Sequence, residues 1–332
     1  MEKPIFILGC TKSGTTLLRN LFDGHEELFV IPSESHFFQN IEFWVSYFFR
    51  RTRPQNLTFE EMKQNLFEWV KCLNRKNSRV TDNFTAGKWN EEGFKEFLFS
   101  RKTESLKQLS DLYIESIYYS LHGQEYPQSL RFVEKSVENP EFALDWLKLY
   151  PDAKFIHILR NPYSNSVALR KYLNSKKYPF MKRTFLSMYN SYYFLYRNVR
   201  TIAPNQYKVV RYEDLIAESE KVMKELVNFL EIKYDDILTS PTLLGKEWGG
   251  NSTSLVTFKG ISKINLEKWK KEISNFEIIM VNELFSHVIE DFNYESIDPN
   301  GSFYKIAYKE SVKAYILNRL LYYYLPMFND HN

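Results

Sequence analysis

The stretch ILGCTKSGTTLLRNL, residues 7–21, decides the fold class. An apolar run reaches Gly9, a short polar loop follows, and Leu18 and Leu21 then recur at helical spacing. A strand, a tight glycine-containing loop and a helix in this order form a phosphate-binding unit, in which backbone N–H groups and a helix N-terminus face the anion. The stretch therefore predicts an anion-binding loop at the start of an α/β domain.

The lysine of this loop is displaced from the position that ATP-binding loops require. The Walker A pattern places lysine directly after its second glycine, where this chain has Thr15, and Lys12 comes two residues before Gly14. Side chains around the loop can still add donors for an anion. The predicted anion-binding residues of the loop are Lys12, Ser13, Gly14, Thr15 and Thr16.

Three further apolar runs read as buried parallel strands, and each is followed by a helical pattern. With the first run, they span residues 4–9, 130–135, 154–160 and 207–212. This βα alternation predicts an α/β fold of three layers, like that of P-loop NTPases, with a central parallel sheet. A helical insertion is predicted after the first βα unit.

The chain is predicted to form a single domain over residues 1–332. The insertion covers about 40–128. An amphipathic helical tail covers about 302–328, which is rich in Tyr, Leu and Ile and carries Lys305, Lys309 and Lys313 on one helical face. Such a tail either packs on its own domain or lies on a membrane surface as a peripheral contact. Helix starts are predicted from capping boxes, Thr58 with Glu61 and Ser274 with Glu277, and from Asn139 as the N-cap before Pro140.

Composition narrows the function class. A formal charge of +3 is too mild for a nucleic-acid partner, but it allows a local basic pocket for a small anion. Two cysteines cannot form a disulfide framework, and neither a signal peptide nor an apolar run of membrane-spanning length is visible, so a cytoplasmic location is predicted. Aromatic residues make up 17% of the chain and suit an apolar cleft.

The ends of the later strands argue against a metal-dependent ATPase. A Walker B strand ends in an aspartate that holds the metal, whereas KFIHILR ends in Arg160 and YKVVRYED carries Arg211 before its acids. The predicted site therefore binds its anion with lysine and arginine, and no metal is expected.

Together these segments resemble the PAPS-dependent sulfotransferases. TKSGTTLL resembles the family's 5′-phosphosulfate loop, and the other matching segments follow in the family's order over roughly residues 4–270. They are DGHEELFVIPSESHFF from Asp23, RFVEKSVEN from Arg131, PDAKFIHILRNP from Pro151, VVRYEDL from Val209 and KGISKINLEKW from Lys259.

The resemblance implies a 3′-phosphoadenylyl sulfate (PAPS) donor, adenosine 3′,5′-bisphosphate (PAP) as the product, and a small-molecule, lipid or glycan acceptor. Lys12 and Lys135 would stabilise the charge that develops on the leaving phosphate. Glu34 matches the family's glutamate and is the predicted general base, with His36 as the alternative base or as a group that orients the acceptor. For Glu34, an idle carboxylate at a helix start remains the alternative.

The resemblance also implies a site for the 3′-phosphate of the donor. Arg160 would bind this phosphate with its planar guanidinium. The family usually carries a partner serine eight residues later, where this chain has Ala168, so Ser164 and Ser166 are predicted to substitute. Tyr212 would approach the adenine, and Lys259 matches a basic residue of the loop that closes over the nucleotide.

Two other function classes stay open from the sequence. One is a P-loop nucleotide kinase or ATPase, and the other is a non-catalytic anion-binding protein descended from such an enzyme. Thr15 in the Walker lysine position argues against the first. The presence of Glu34, His36, Lys12 and Lys135 argues against the second.

Overall fold

A computed structural model of the chain describes residues 1–41, 56–75, 88–175, 181–250, 260–263 and 266–299. Its strands are β1 Ile5–Leu8, β2 Leu28–Val30, β3 Arg131–Lys135, β4 Lys154–Leu159, β5 Tyr207–Arg211, β6 Thr242–Leu243 and β7 Lys246–Glu247. Its first α-helices are α1 Thr15–Leu21, α2 Phe37–Ile41, α3 Phe59–Asn74, α4 Glu91–Phe99, α5 Leu106–His122 and α6 Asn139–Leu149. The later ones are α7 Pro162–Ser175, α8 Met181–Thr201, α9 Tyr212–Ala217, α10 Ser219–Leu230 and α11 Asn275–Asp291.

The central sheet confirms the predicted fold class. Its five strands are parallel in the order β2-β3-β1-β4-β5. Ile7 of β1 pairs with Lys135 of β3, and Leu8 pairs with His157 of β4. Because neighbouring parallel strands end at one edge, the segments after β1, β3 and β4 meet there, as expected for a ligand site in an open α/β sheet.

The alternating side chains of β1 separate two buried cores. Phe6 and Leu8 face one core, where Phe6 stacks on Trp146 of α6 with ring centroids 4.5 Å apart. Ile5 and Ile7 face the other core, which holds Leu18 of α1 together with the buried stripe of α10. A strand that is buried on both faces is the central layer of a three-layer fold.

The predicted capping boxes are confirmed at α3 and α11. The Thr58 hydroxyl accepts from the Glu61 amide, Ser274 does the same for Glu277, and each glutamate side chain accepts from its cap's backbone N–H. The prediction for α6 is wrong by one residue, because Asn139 is already helical and its side chain does not cap. The side-chain amide of Asn139 instead donates to the Glu134 carboxylate.

Helices α3, α4 and α5 lie between β2 and β3, within the predicted helical insertion. The predicted tail, about 302–328, lies outside the described residues. No described helix is both long enough and apolar enough to cross a bilayer.

Candidate active site

The glycine-containing loop after β1 is a tight turn. The Ser13 amide donates to the Cys10 carbonyl over 3.0 Å, and Gly14 has a left-handed φ of 104° just before α1. A Cβ on Gly14 would lie 2.4 Å from Cδ2 of Tyr212. Glycine is therefore required here both by the backbone conformation and by the close approach of the tyrosine ring.

A cleft of about 200 Å³ opens beside this loop. Its walls contain most of the predicted donor-binding residues, namely Lys12, Gly14, Thr15, Thr16, Arg160, Ser164 and Tyr212, and also Ala168. Residues that were not predicted also line it, among them Lys171, Trp248 and Trp269. Lys268, which belongs to the segment KGISKINLEKW, lines it as well. The cleft thus combines cations with aromatic rings, as a site for an aromatic anion requires.

Arg160 lines this cleft and is held by three contacts. Its Nε donates to Oγ of Ser164 over 2.9 Å, and one terminal nitrogen donates to the Lys12 carbonyl over 2.9 Å. The guanidinium carbon lies 4.7 Å from the centroid of the Tyr212 ring. These contacts fix the plane of the guanidinium, so its position is set before an anion arrives.

Three of the residues predicted to bind PAPS are not among the described residues that line the cleft. The Ser13 side chain is buried, and its hydroxyl has no hydrogen-bond partner among the described residues. Ser166 is also buried, and its hydroxyl donates to the Tyr163 carbonyl over 2.9 Å rather than facing the cleft. Lys259 lies outside the described residues.

The PSESH segment brings Glu34 and His36 to the end of β3. Glu34 accepts on one carboxylate oxygen from Nζ of Lys135. Its other oxygen lies 3.0 Å from Nε2 of His36. Nδ1 of His36 lies 3.1 Å from a carboxylate oxygen of Glu138. The structure therefore joins three predicted residues in one chain of ion pairs and adds a fourth member, Glu138.

The charges within this chain set the protonation states of its members. Burial acts to raise the pKa of Glu34, but the Lys135 ammonium and the His36 ring outweigh it and hold the pKa well below its usual value. Burial acts to lower the pKa of His36, but the Glu138 and Glu34 carboxylates outweigh it and raise this pKa to about 10. At neutral pH, Glu34 is thus a carboxylate and His36 an imidazolium.

The same three side chains resemble a metal-binding set only in composition. One oxygen each from Glu34 and Glu138 and one ring nitrogen of His36 lie within 4.8 Å of one another. The two carboxylates, however, are paired with different ring nitrogens. A single ion binds only one nitrogen of an imidazole, and here each nitrogen faces a different carboxylate, so the arrangement is that of a chain of ion pairs.

Glu134 anchors the PSESH segment to the sheet. This fully buried carboxylate accepts from the Ser35 amide over 3.1 Å, from the Ser35 hydroxyl over 2.7 Å and from the Ser136 hydroxyl over 2.5 Å. It also accepts from the Asn139 amide. Because four donors converge on one carboxylate, the residues on either side of Ser35 are held in register with β3.

Replacing Glu134 with glutamine is expected to lower the free energy of unfolding by about 2–4 kcal/mol, because the new amide N–H₂ would face donors and leave them unsatisfied in a buried site. Urea unfolding followed by circular dichroism measures this loss. The control is Glu96→Gln on the exposed face of α4, which removes the same charge and should change stability by less than about 0.5 kcal/mol. Equal stabilities of the two variants would refute the anchoring role.

Glu138 is the residue of this cluster that sequence reasoning missed. It stands three residues after Lys135, in the turn between the end of β3 and the start of α6. Its position just beyond the carboxyl end of a central parallel strand was the available signal, because ligand sites of such sheets gather there. No sequence pattern paired it with His36, since 101 residues separate the two.

Comparison with known proteins identifies relatives of this chain. A family model described as "Sulfotransferase family" matches residues 4–236, more than half of the chain. A curated protein of Aquifex aeolicus (strain VF5), described only as uncharacterized, is 22% identical over 275 residues. That match covers 81% of this chain and 31% of the relative, so the chain spans about a third of the length of the curated relative it matches.

Two solved structures share the fold. One, the sulfotransferase domain from the curacin biosynthetic pathway, has a TM-score of 0.58 at 21% identity and covers 90% of this chain and 99% of its own. The other, the sulfotransferase domain from the Synechococcus PCC 7002 olefin synthase, has a TM-score of 0.51 at 20% identity, with coverage of 89% and 97%. At these identities the similarity establishes the fold alone.

Proposed function

The chain belongs to the sulfotransferase family, and we propose that it transfers a sulfuryl group from PAPS to a hydroxyl or amine of a small-molecule, lipid or glycan acceptor. The observation that carries this proposal is the position of the Glu34 carboxylate between Lys135 and His36. It lies at the sheet edge where β1 ends and the anion-binding loop begins. A base and an anion site on one edge are what in-line transfer to an acceptor requires.

The donor is proposed to bind in the cleft beside the loop. Arg160 and Ser164 take the 3′-phosphate, since they are already hydrogen-bonded to each other and line the cleft. Lys12 and the N–H groups around Gly14, Thr15 and Thr16 take the 5′-phosphosulfate, because the first amides of a helix lack partners within the helix. The Tyr212 ring faces the adenosine. Ser164 thus supplies the hydroxyl that Ala168 cannot, while Lys259 remains a predicted contact.

The proposed transfer is an in-line displacement at sulfur. The acceptor oxygen forms a new bond to sulfur while the bond from sulfur to the bridging phosphate oxygen breaks, and its electron pair leaves on PAP. The acceptor proton passes to the Glu34 carboxylate. Negative charge then develops on the leaving phosphate, and Lys12 and Lys135 stabilise it.

Lys135 has two roles in this proposal. Before the donor binds, its ammonium is paired with Glu34, which makes the carboxylate a weak base. When Lys135 turns to the donor's phosphosulfate, Glu34 loses one cation and its basicity rises. Donor binding thereby activates the base.

Glu34 is assigned as the base in preference to His36. Both ring nitrogens of His36 already lie at hydrogen-bond distance from carboxylates, and its raised pKa keeps it protonated at neutral pH. An imidazolium has no lone pair with which to accept a proton. His36 therefore orients Glu34, a role that differs from the two open to it from the sequence, which were an alternative base and a group that orients the acceptor.

Transfer from [³⁵S]PAPS to a panel of phenols, sterols, lipids, sugars and tyrosyl peptides tests the proposed function. We expect labelled product from at least one acceptor class, with PAP released in equal amount. Saturable PAP binding without transfer to any member of a broad panel, and without PAP release from PAPS, would instead favour a non-catalytic binding protein.

A further inference from the structure

His36 occupies an unusual position between two carboxylates. The ring is buried, with Nε2 3.0 Å from Glu34 and Nδ1 3.1 Å from Glu138. A neutral imidazole carries a hydrogen on only one nitrogen, so its other nitrogen would place a lone pair against a carboxylate. Two carboxylates at ion-pair distance from the two ring nitrogens therefore favour an imidazolium, which carries a hydrogen on each nitrogen.

The backbone of His36 is held in a costly conformation. Its φ is +46°, in the left-handed region that residues with a side chain seldom adopt. The surrounding structure enforces this, since the His36 amide donates to Oγ of Ser136 over 3.2 Å and its carbonyl accepts from the side-chain amide of Asn40 over 2.8 Å. Strain held in this way is typical of residues whose exact direction matters for function.

We propose that Glu138 is a positioning residue of the transfer reaction, which acts through His36: its carboxylate pairs with the ring at Nδ1 and keeps it cationic, so that Nε2–H holds one oxygen of Glu34 in place while the other oxygen takes the acceptor proton. This inference rests on the proposed function. The pairing explains how Glu34 stays oriented once Lys135 has turned to the donor, because His36 is then the cation that remains in contact with it.

The charged groups that face His36 leave few other sources for its charge. Glu34 comes from the loop before α2, and Glu138 comes from the turn before α6. From α3, the Trp69 ring packs edge-on at a centroid distance of 4.8 Å. From β3, Lys135 donates to Glu34. Glu134 accepts from the hydroxyls of Ser35, which precedes His36 in the chain, and of Ser136, which accepts from the His36 amide. Glu138 is therefore the partner whose removal changes the charge of His36 without removing the base.

The test is a nitrogen-15 NMR titration of the histidine rings, with the His36 signals assigned by their loss in His36→Gln. In the wild-type protein we expect both ring nitrogens of His36 to carry protons at pH 8 and to titrate near pH 10. In Glu138→Gln the titration midpoint should fall by about 1 to 3 pH units, and Glu138→Asp should recover part of the shift. Asp145→Asn, which removes one carboxylate from the same helix region, should leave the midpoint unchanged.

The kinetic counterpart uses PAP release from PAPS, with water as the acceptor when no other is known. The loss of kcat in Glu138→Gln should grow as the pH rises, to roughly tenfold at pH 9, and nearly vanish at pH 6, where His36 is protonated without its help. A purely structural defect would lower kcat equally at every pH.

A neutral His36 in the wild-type protein at pH 8, or an unchanged midpoint in Glu138→Gln, overturns the inference, and the first of these needs no variant that must fold. Calorimetry with PAP on the same samples separates this failure from that of the proposed function. If Glu138→Gln shifts the His36 midpoint but PAP does not bind, the proposed transferase function fails and the pairing of Glu138 with His36 stands. If PAP binds but the His36 midpoint does not change in Glu138→Gln, only the proposed role of Glu138 fails.

Discussion

Replacing Glu34 with glutamine is expected to slow sulfuryl transfer by about 10²–10⁴-fold, the range that a positioned general base contributes. Glutamine keeps the size of the side chain but cannot accept the acceptor proton as a carboxylate does. At the same time, PAPS should bind at least as tightly as in the wild-type protein, because Lys135 no longer has to leave an anionic partner. Single-turnover transfer from [³⁵S]PAPS measures the rate, and calorimetry with PAP measures the affinity.

The combination of a slower reaction with undiminished donor binding distinguishes a base from a structural residue. Glu26→Gln is the matched control, since Glu26 is an exposed acid in the preceding turn, 3.8 Å from Lys233, and its loss should leave both quantities unchanged. If Glu34→Gln transferred the sulfuryl group at the wild-type rate, Glu34 would be an idle carboxylate in the loop before α2, and the base would have to be sought elsewhere.

Replacing Arg160 with alanine is expected to weaken PAP binding by about 10–10²-fold, from the 1.5–3 kcal/mol that a hydrogen bond to a charged group contributes. The reason is local, since the guanidinium is fixed by Ser164 and the Lys12 carbonyl before the anion arrives. AMP lacks the 3′-phosphate of PAP but shares its adenosine and its 5′-phosphate. The affinity for AMP should therefore change little.

The affinities of the wild-type protein and of Arg160→Ala for PAP and for AMP form a double-mutant cycle, in which the ligand's 3′-phosphate is the second group removed. The coupling energy of this cycle measures the interaction between Arg160 and the 3′-phosphate. Arg200→Ala, which removes an exposed arginine at the end of α8, is the control and should leave both affinities unchanged. Equal losses for PAP and AMP in Arg160→Ala would mean that Arg160 supports the loop through the Lys12 carbonyl instead of binding the 3′-phosphate.

The sequence was sufficient to predict four of the five strands of the central sheet, because each is an apolar run followed by a helical pattern. It was insufficient for β2 Leu28–Val30, whose three residues are too few to show a period. Helix α8 Met181–Thr201 was missed for a different reason. Its tyrosines, serines and asparagines blur the apolar stripe that marks a helix, although residues such as Met188, Tyr192 and Leu195 are buried.

At the site, sequence motifs named side chains but not their contacts. Arg160, Ser164 and Tyr212 were predicted as separate contributions, and the cleft brings them together. The ion pair of Lys135 with Glu34 joins residues 101 positions apart, and no local pattern encodes such a contact. Ser166 lies on the same helix as Ser164, but its hydroxyl is satisfied by the helix backbone, so helical proximity alone did not predict which serine faces the cleft.

Calorimetric titration of the full chain with PAP, ADP and ATP–Mg²⁺ tests the central claim, that the displaced lysine and Arg160 form a site for a 3′-phosphorylated nucleotide. We expect PAP to bind at least tenfold more tightly than ADP, because only PAP offers a 3′-phosphate to Arg160, and ATP–Mg²⁺ to gain nothing from the metal. Preferential binding of ATP–Mg²⁺ would contradict the claim and would favour a P-loop kinase or ATPase.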